Sequence, residues 1–249
     1  MSHQNKFIDR RQFLKKLAGV SVGVAASSVL VDARSARAAV TREVEPGSPD
    51  TALQRLLAGN QRFIQQKLEH PHQSQTRLQE VATAQHPFAT LLSCADSRVP
   101  AEILFDLGIG DLFDVRIAGN IVTTEALGSL EYAAAMLGTP LIMVLGHERC
   151  GAVTAAVQGK PLPGQISSFA KAIEPAITTL SSANAQFNNK SNNKSEDDLV
   201  ENAVVANVRY QVKKLEQNSE LLMQLVEEGK LKIVGGRYDL DTGEVAIVT

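Results

Sequence analysis

The sequence predicts an α/β fold, a mostly parallel central β-sheet flanked by helices. Three observations predict it. Phe88–Ser93 and Pro140–Gly146 are nearly continuous apolar runs, as in strands buried on both faces rather than half-solvated ones. Segments with helical periodicity stand between the strand-like runs, as the crossovers of parallel pairing require. Glycine or proline marks many of the junctions between them.

Residues 1–38 stand apart from that pattern. Arg10-Arg11-Gln12-Phe13-Leu14-Lys15 has the form of a twin-arginine export signal, followed by an apolar stretch from Leu17 to Val31. Ala36-Arg37-Ala38 then offers small residues at the spacing a signal peptidase needs. At 15 residues the apolar stretch is shorter than the ~20 that span a bilayer. The expectation is a signal peptide cleaved after Ala38 and a protein delivered to the periplasm or an equivalent extracytoplasmic space, with an uncleaved anchor as the alternative. Cleavage removes seven Lys/Arg and two Asp/Glu, leaving 18 and 25, a formal net charge of −7. Such a chain lacks the basic face that nucleic-acid phosphates call for. No later apolar run is long enough to span a membrane.

Residues 39–50 read as a polar N-terminal arm and 51–249 as one domain. Leu53, Leu56, Leu57, Phe63 and Ile64 place a helix over Thr51–Leu68. A short helix follows at about Ser74–Ala84 and ends before Pro87. After the Phe88–Ser93 strand come a short helix over Ala101–Leu107, a strand over Leu112–Ile117, and a helix over Thr123–Leu137 with Gly138 at its C-terminal cap. Pro140–Gly146 is the strongest strand, and a helix starts at Cys150. The stretch 181–198 is rich in Ser, Asn and Lys and reads as a mobile surface insertion. Helices at about Leu199–Gln217 and Glu220–Glu228, a strand at Lys230–Gly235 and a last strand at Glu244–Val248 complete the domain.

Both cysteines directly follow or closely follow strands. Cys94 opens Cys94-Ala95-Asp96-Ser97-Arg98, and Cys150 closes His147-Glu148-Arg149-Cys150. In a parallel sheet the two pieces meet at the carboxyl edge, where open α/β folds bind ligands. Two thiols and one imidazole make a zinc site with one position open, the catalytic form of such a site. Gly151 leaves the backbone beside Cys150 uncrowded, and a thiolate at a helix start is favoured by free N–H groups. Asp96 and Arg98 are spaced to pair on a loop, the arginine offering two N–H groups to the carboxylate. Two cysteines in an exported chain ordinarily suggest a disulfide. Twin-arginine export carries folded proteins, so this site could be metallated before its thiols meet an oxidising compartment. The absence of C-x-x-C and the 56-residue separation argue against a thiol redox protein.

The C-x-D-x-R and H-x-x-C pair resembles that of the β-class carbonic anhydrases. The similarity extends from the segment around Gln85 to Gly236-Arg237-Tyr238-Asp239. It implies a β-carbonic anhydrase-like fold and reversible hydration of CO2 to bicarbonate and a proton by a zinc-bound hydroxide. Cys94, His147 and Cys150 would hold Zn2+, one per subunit, and Asp96 and Arg98 would form the catalytic dyad. Gln85, Phe113 and Tyr132 match substrate-pocket positions that, in the family, the partner subunit supplies. A homodimer is therefore the implied minimal unit, with a tetramer as a larger form. Leu91 and Ser93 depart from members that carry Trp and Gly there, which argues against an inhibitory bicarbonate site. The alternatives are hydrolysis of a CO2 analogue such as carbonyl sulfide or carbon disulfide on the same scaffold, or a non-catalytic bicarbonate sensor.

Overall fold

A computed structural model describes residues 47–187 and 195–249. The twin-arginine segment, most of the arm and 188–194 lie outside them. Helix α1, Pro49–Ile64, starts two residues ahead of the expected position because Ser48 caps it, accepting the Thr51 N–H at 3.2 Å, and proline suits the first turn. Helix α2, Gln75–Val81, is capped in the same way by Ser74.

Among the described residues five strands form one sheet: β1 Ala89–Ser93, β2 Leu112–Arg116, β3 Leu141–His147, β4 Lys232–Tyr238 and β5 Val245–Ile247. Their order is β2-β1-β3-β4-β5, parallel except for β5, which pairs antiparallel with β4. Every residue of β1 and β3 is buried, as their unbroken hydrophobicity requires. One face of the sheet packs Leu91, Met143 and Leu145 against α1 and the short helix α3, Ala101–Leu104. The other packs Leu92, Ile142 and Val144 against α4 (Thr124–Met136), α7 (Glu196–Asn218) and α8 (Glu220–Glu227).

Helix α5, Gly151–Gln158, leads to α6, Ser167–Phe187, for which the sequence offered no expectation. Pro175 lies in its interior, where it supplies no N–H, and the helix continues through it, with Ile173 and Ala176 buried on either side. Helix therefore occupies 181–187, and α7 begins at Glu196 under a capping box from Ser195 and Asp198. The surface insertion expected over 181–198 is thus helical at both ends. Among the described residues, no helix is long and apolar enough to cross a membrane.

The connection after β1 leads to β2 on one side, and the connection after β3 leads to β4 on the other. The carboxyl ends of β1 and β3 thus flank the switch point, where an open α/β sheet leaves a crevice. Ser93 pairs with Leu145, which sets Cys94 level with Gly146, one residue short of His147. Gly146 is required by packing: a Cβ there would stand 2.5 Å from the Val208 methyl of α7.

Candidate metal centre

Cys94, His147 and Cys150 come together at that switch point, all buried, with their donor atoms within 4.8 Å of one another. The Cys94 and Cys150 sulfurs are 4.0 Å apart, within reach of an S–H hydrogen bond and not joined by a disulfide. Around a tetrahedral zinc with Zn–S near 2.3 Å, two thiolates stand about 3.8 Å apart. His147 Nδ1 lies 2.8 Å from the Glu148 carbonyl, which only accepts, so Nδ1 carries the proton and Nε2 the lone pair. Nε2 is buried and has no hydrogen-bond partner among the described residues. An unprotonated, orphaned imidazole nitrogen beside two thiols is what a metal would satisfy, and the donor set suits zinc.

The sulfurs sit in a field of donors. The Gly119 N–H lies 3.3 Å from the Cys94 sulfur. Hydrogen bonding from the Cys150 thiol, helped by the Gly119 N–H and opposed by burial, pulls the Cys94 thiol well below its usual range. The bond to Cys94, burial and the Cys94 charge push the Cys150 thiol up, while the N–H groups of Val153 and Ala152 at the start of α5 oppose the rise. A bound cation would favour both thiolates.

Asp96 stands at the mouth of this triangle, its Oδ2 3.8 Å from His147 Nε2. Arg98 grips both carboxylate oxygens, Nε to Oδ1 at 2.9 Å and Nη2 to Oδ2 at 2.8 Å, and its backbone N–H adds a third bond at 2.9 Å. The Arg98 side chain, outweighing partial burial, holds the Asp96 carboxyl well below the usual carboxylate range. Arg116, a residue that sequence reasoning missed, pins the loop by donating to the Cys94 carbonyl at 2.9 Å and the Asp96 carbonyl at 2.7 Å.

The His147–Cys150 turn is braced as well, by residues whose role no motif announces. Arg149 takes a left-handed φ of 48°, which costs a non-glycine residue about 1 kcal/mol. Its N–H donates to Glu201 at 3.1 Å, and its guanidinium grips Asp241 at 2.7 and 2.9 Å. Arg237 joins Glu148 to Glu201, so β4 and α7 hold the turn together.

Other expected positions lie apart from this cluster. Phe113 pairs with Thr90, four residues before Cys94 on parallel strands, or roughly 13 Å along the sheet. Its ring meets Tyr132 of α4 at 6.2 Å, and Tyr132 is 48% exposed. Gln85 is exposed on the approach to β1, whereas Cys94 stands beyond the far end of that strand. Gly151 adjoins Cys150; a Cβ there would meet nothing within 4 Å among the described residues, so none of their contacts requires glycine. Leu91 is core, and Ser93 is buried and donates to Asp114 at 3.1 Å.

Asp114 carries a testable charge. Burial, only partly offset by the Ser93 bond, raises its pKa from 3.8 to about 6. A folded pKa above the unfolded one means that the fold favours the protonated form. That contribution is complete below about pH 4 and is lost as pH rises through 6. Asp114→Asn should therefore raise stability at pH 8 by about 1–2 kcal/mol and leave it unchanged at pH 4. Urea midpoints at the two pH values check this, and an equal shift at both would contradict it.

A carbonic anhydrase family profile matches residues 89–245. The chain is 36% identical over 204 residues to carbonic anhydrase 2 of Mycobacterium tuberculosis, spanning 80% of this chain and 93% of that protein. It is 35% identical over 204 residues to the carbonic anhydrase of Mycolicibacterium smegmatis, with the same coverage of each. The fold matches the Coccomyxa β-carbonic anhydrase solved in complex with acetazolamide, with a TM-score of 0.62 at 26% identity, covering 78% of this chain and 85% of that one. Similarity that takes in both ligand-bearing loops and 80% of the sequence reflects common descent: the chain belongs to the β-class carbonic anhydrase family, zinc enzymes of CO2 hydration.

Proposed function

We propose that Cys94, His147 and Cys150 hold one zinc per subunit and that Asp96, held by Arg98, orients the nucleophile that attacks CO2 to give bicarbonate and a proton. The observation that supports this most is the orphaned His147 Nε2 between two buried thiols, with an arginine-held carboxylate oxygen 3.8 Å away. When bound, zinc supplies a Lewis acid that makes water a nucleophile near neutral pH. The residues supply orientation. An ionised Asp96 can only accept a hydrogen bond. A hydroxyl hydrogen set against it turns the oxygen lone pair toward the incoming carbon. Arg98 keeps the carboxylate ionised and away from the metal position, and Arg116 fixes the loop that carries it.

The substrate pocket in this reading is shared between two copies. Phe113 lies on β2, the edge strand, packed on Tyr132, and both are remote from the centre of their own subunit. The exposed Tyr132 and Met136, four residues apart on α4, continue that surface. Their use at a second subunit's centre, together with Gln85, requires a homodimer at least. A mature protein that is monomeric by light scattering and fully active would overturn this. Export through the twin-arginine signal is proposed from Arg10-Arg11 and the segment that follows. Retention in the cytoplasm of a folded reporter fused to residues 1–38 would contradict it.

The central experiment joins metal analysis to stopped-flow CO2 hydration on the mature protein. One zinc per subunit and CO2-dependent proton release are expected, lost with a chelator and restored by zinc. Zinc-loaded protein that releases sulfide from carbonyl sulfide but leaves CO2 unhydrated would overturn the assignment.

A further inference from the structure

Helix α7 buries two amide side chains among valines. Asn207 is 1% exposed and Gln211 is fully buried. Burying an amide is costly unless its donors and acceptors are met. Here they are met by one another and chiefly by one short segment. Asn207 Nδ2 donates to the Gly119 carbonyl at 2.9 Å. Gln211 Nε2 donates to Asn207 Oδ1 at 3.0 Å, and Gln211 Oε1 accepts the Val122 N–H at 2.9 Å. The two amides are four residues apart, on one face of the helix.

The segment they hold is strained. Gly119 has φ 75°, and Asn120, next to it, has φ 45° in spite of its side chain. A Cβ at Gly119 would stand 2.7 Å from the Ile173 side chain and 3.2 Å from Ala152. Such a turn persists when its surroundings over-determine it. What the turn presents to the centre is the Gly119 N–H, 3.3 Å from the Cys94 sulfur.

We propose that Asn207 and Gln211 are positioning residues: through the Gly119 carbonyl they hold the Gly119 N–H on the Cys94 sulfur and so set how strongly that sulfur donates to the metal. An N–H bond draws charge from a thiolate, and outer-shell partners of this kind tune both metal affinity and the electronics of the ion. Neither residue touches substrate. The inference rests on Cys94 being a metal ligand.

The test uses mature protein stripped of metal and reloaded with cobalt(II), whose sulfur-to-metal charge-transfer band reports the donor strength of the thiolate. Zinc affinity is measured in parallel by competition with a chelator. Asn207→Leu should move the band to longer wavelength, because the sulfur regains the charge the N–H drew, and should weaken zinc binding by about 10-fold, because the ligand loses its fixed position. Val212→Ala, which removes buried methyls from the same helix, should lower the melting temperature and leave the band in place. An unmoved band in folded Asn207→Leu, or an equal shift in Val212→Ala, would overturn the proposal. If Asn207→Leu does not fold, Gln211→Met removes the brace and keeps the Asn207–Gly119 bond. It should shift the band in the same direction by less, and no shift there is equally fatal. Failure of the parent protein to bind either metal would refute the ligand assignment instead.

Discussion

Cys94→Ser should emerge from dialysis without zinc and with CO2 hydration below about 1% of the parent. Three protein ligands would hold the ion in the proposed site. Structural zinc sites with four ligands bind with apparent free energies of about 10–16 kcal/mol, or about 2.5–4 kcal/mol for each ligand. Losing one then weakens binding by two to three orders of magnitude. Serine does not compensate, because its hydroxyl stays protonated where the Cys94 thiol, held below its usual range by its hydrogen bonds, gives up its proton. The Gly119 N–H and the Cys150 thiol, both bonded to that sulfur, lose a strong acceptor as well. Thermal melting supplies a second readout. Zinc that binds only the folded state raises the melting temperature of the parent, and that rise should vanish in Cys94→Ser. Stoichiometric zinc in the dialysed variant would show that Cys94 is not a ligand.

The parts of this centre that sequence alone disclosed are those that strand burial dictates. Leu91, Leu92 and Ile142–Leu145 are apolar because both faces of β1 and β3 are covered, and that same burial sends the next residues, Cys94 and His147, to the carboxyl edge. Asp96 and Arg98 were legible because two residues on one loop pair locally. Phe113 and Tyr132 were not. Nothing in one chain's spacing distinguishes a ring that lines a neighbour's pocket from one that packs at home, and only the family likeness singled them out. Helix α6 had no such mark: it carries Pro175 in its interior and is held by apolar packing against α5 and α7 that a local reading does not see. The brace on the Cys94 sulfur did leave a trace. Val200, Val204, Asn207, Gln211 and Leu215 follow one helical stripe, and all five are buried. Amides at two positions of an apolar stripe violate the pattern, and violations of this kind mark places where something beyond packing is being held.

Asp96→Ala should keep one zinc per subunit and lose about 10²–10³-fold in kcat, the loss typical of removing one group that acts on the transition state. Alanine keeps the Asp96 backbone N–H that faces the Cys94 sulfur, and the carboxylate it removes is engaged by Arg98, so the ligand triangle survives the change. The pH behaviour separates this role from simple titration. A folded pKa below the unfolded value means that the ionised, Arg98-held form is kept above the unfolded pKa and is given up only as pH falls through the depressed one. Any decline of parent activity between pH 8 and pH 6 therefore belongs to another group, and Asp96→Ala should keep that decline at its reduced rate. Arg98→Ala gives the complementary result. It frees a carboxylate whose oxygen is only 3.8 Å from His147 Nε2, close enough to turn into the open metal position and occlude it. Zinc should then be retained while activity falls, and Arg98→Ala/Asp96→Ala should do no worse than Asp96→Ala alone, because the occluding group is gone. Near-parental kcat in Asp96→Ala, or loss of its zinc, would remove Asp96 from the reaction and return the Asp96–Arg98 pair to a surface ion pair.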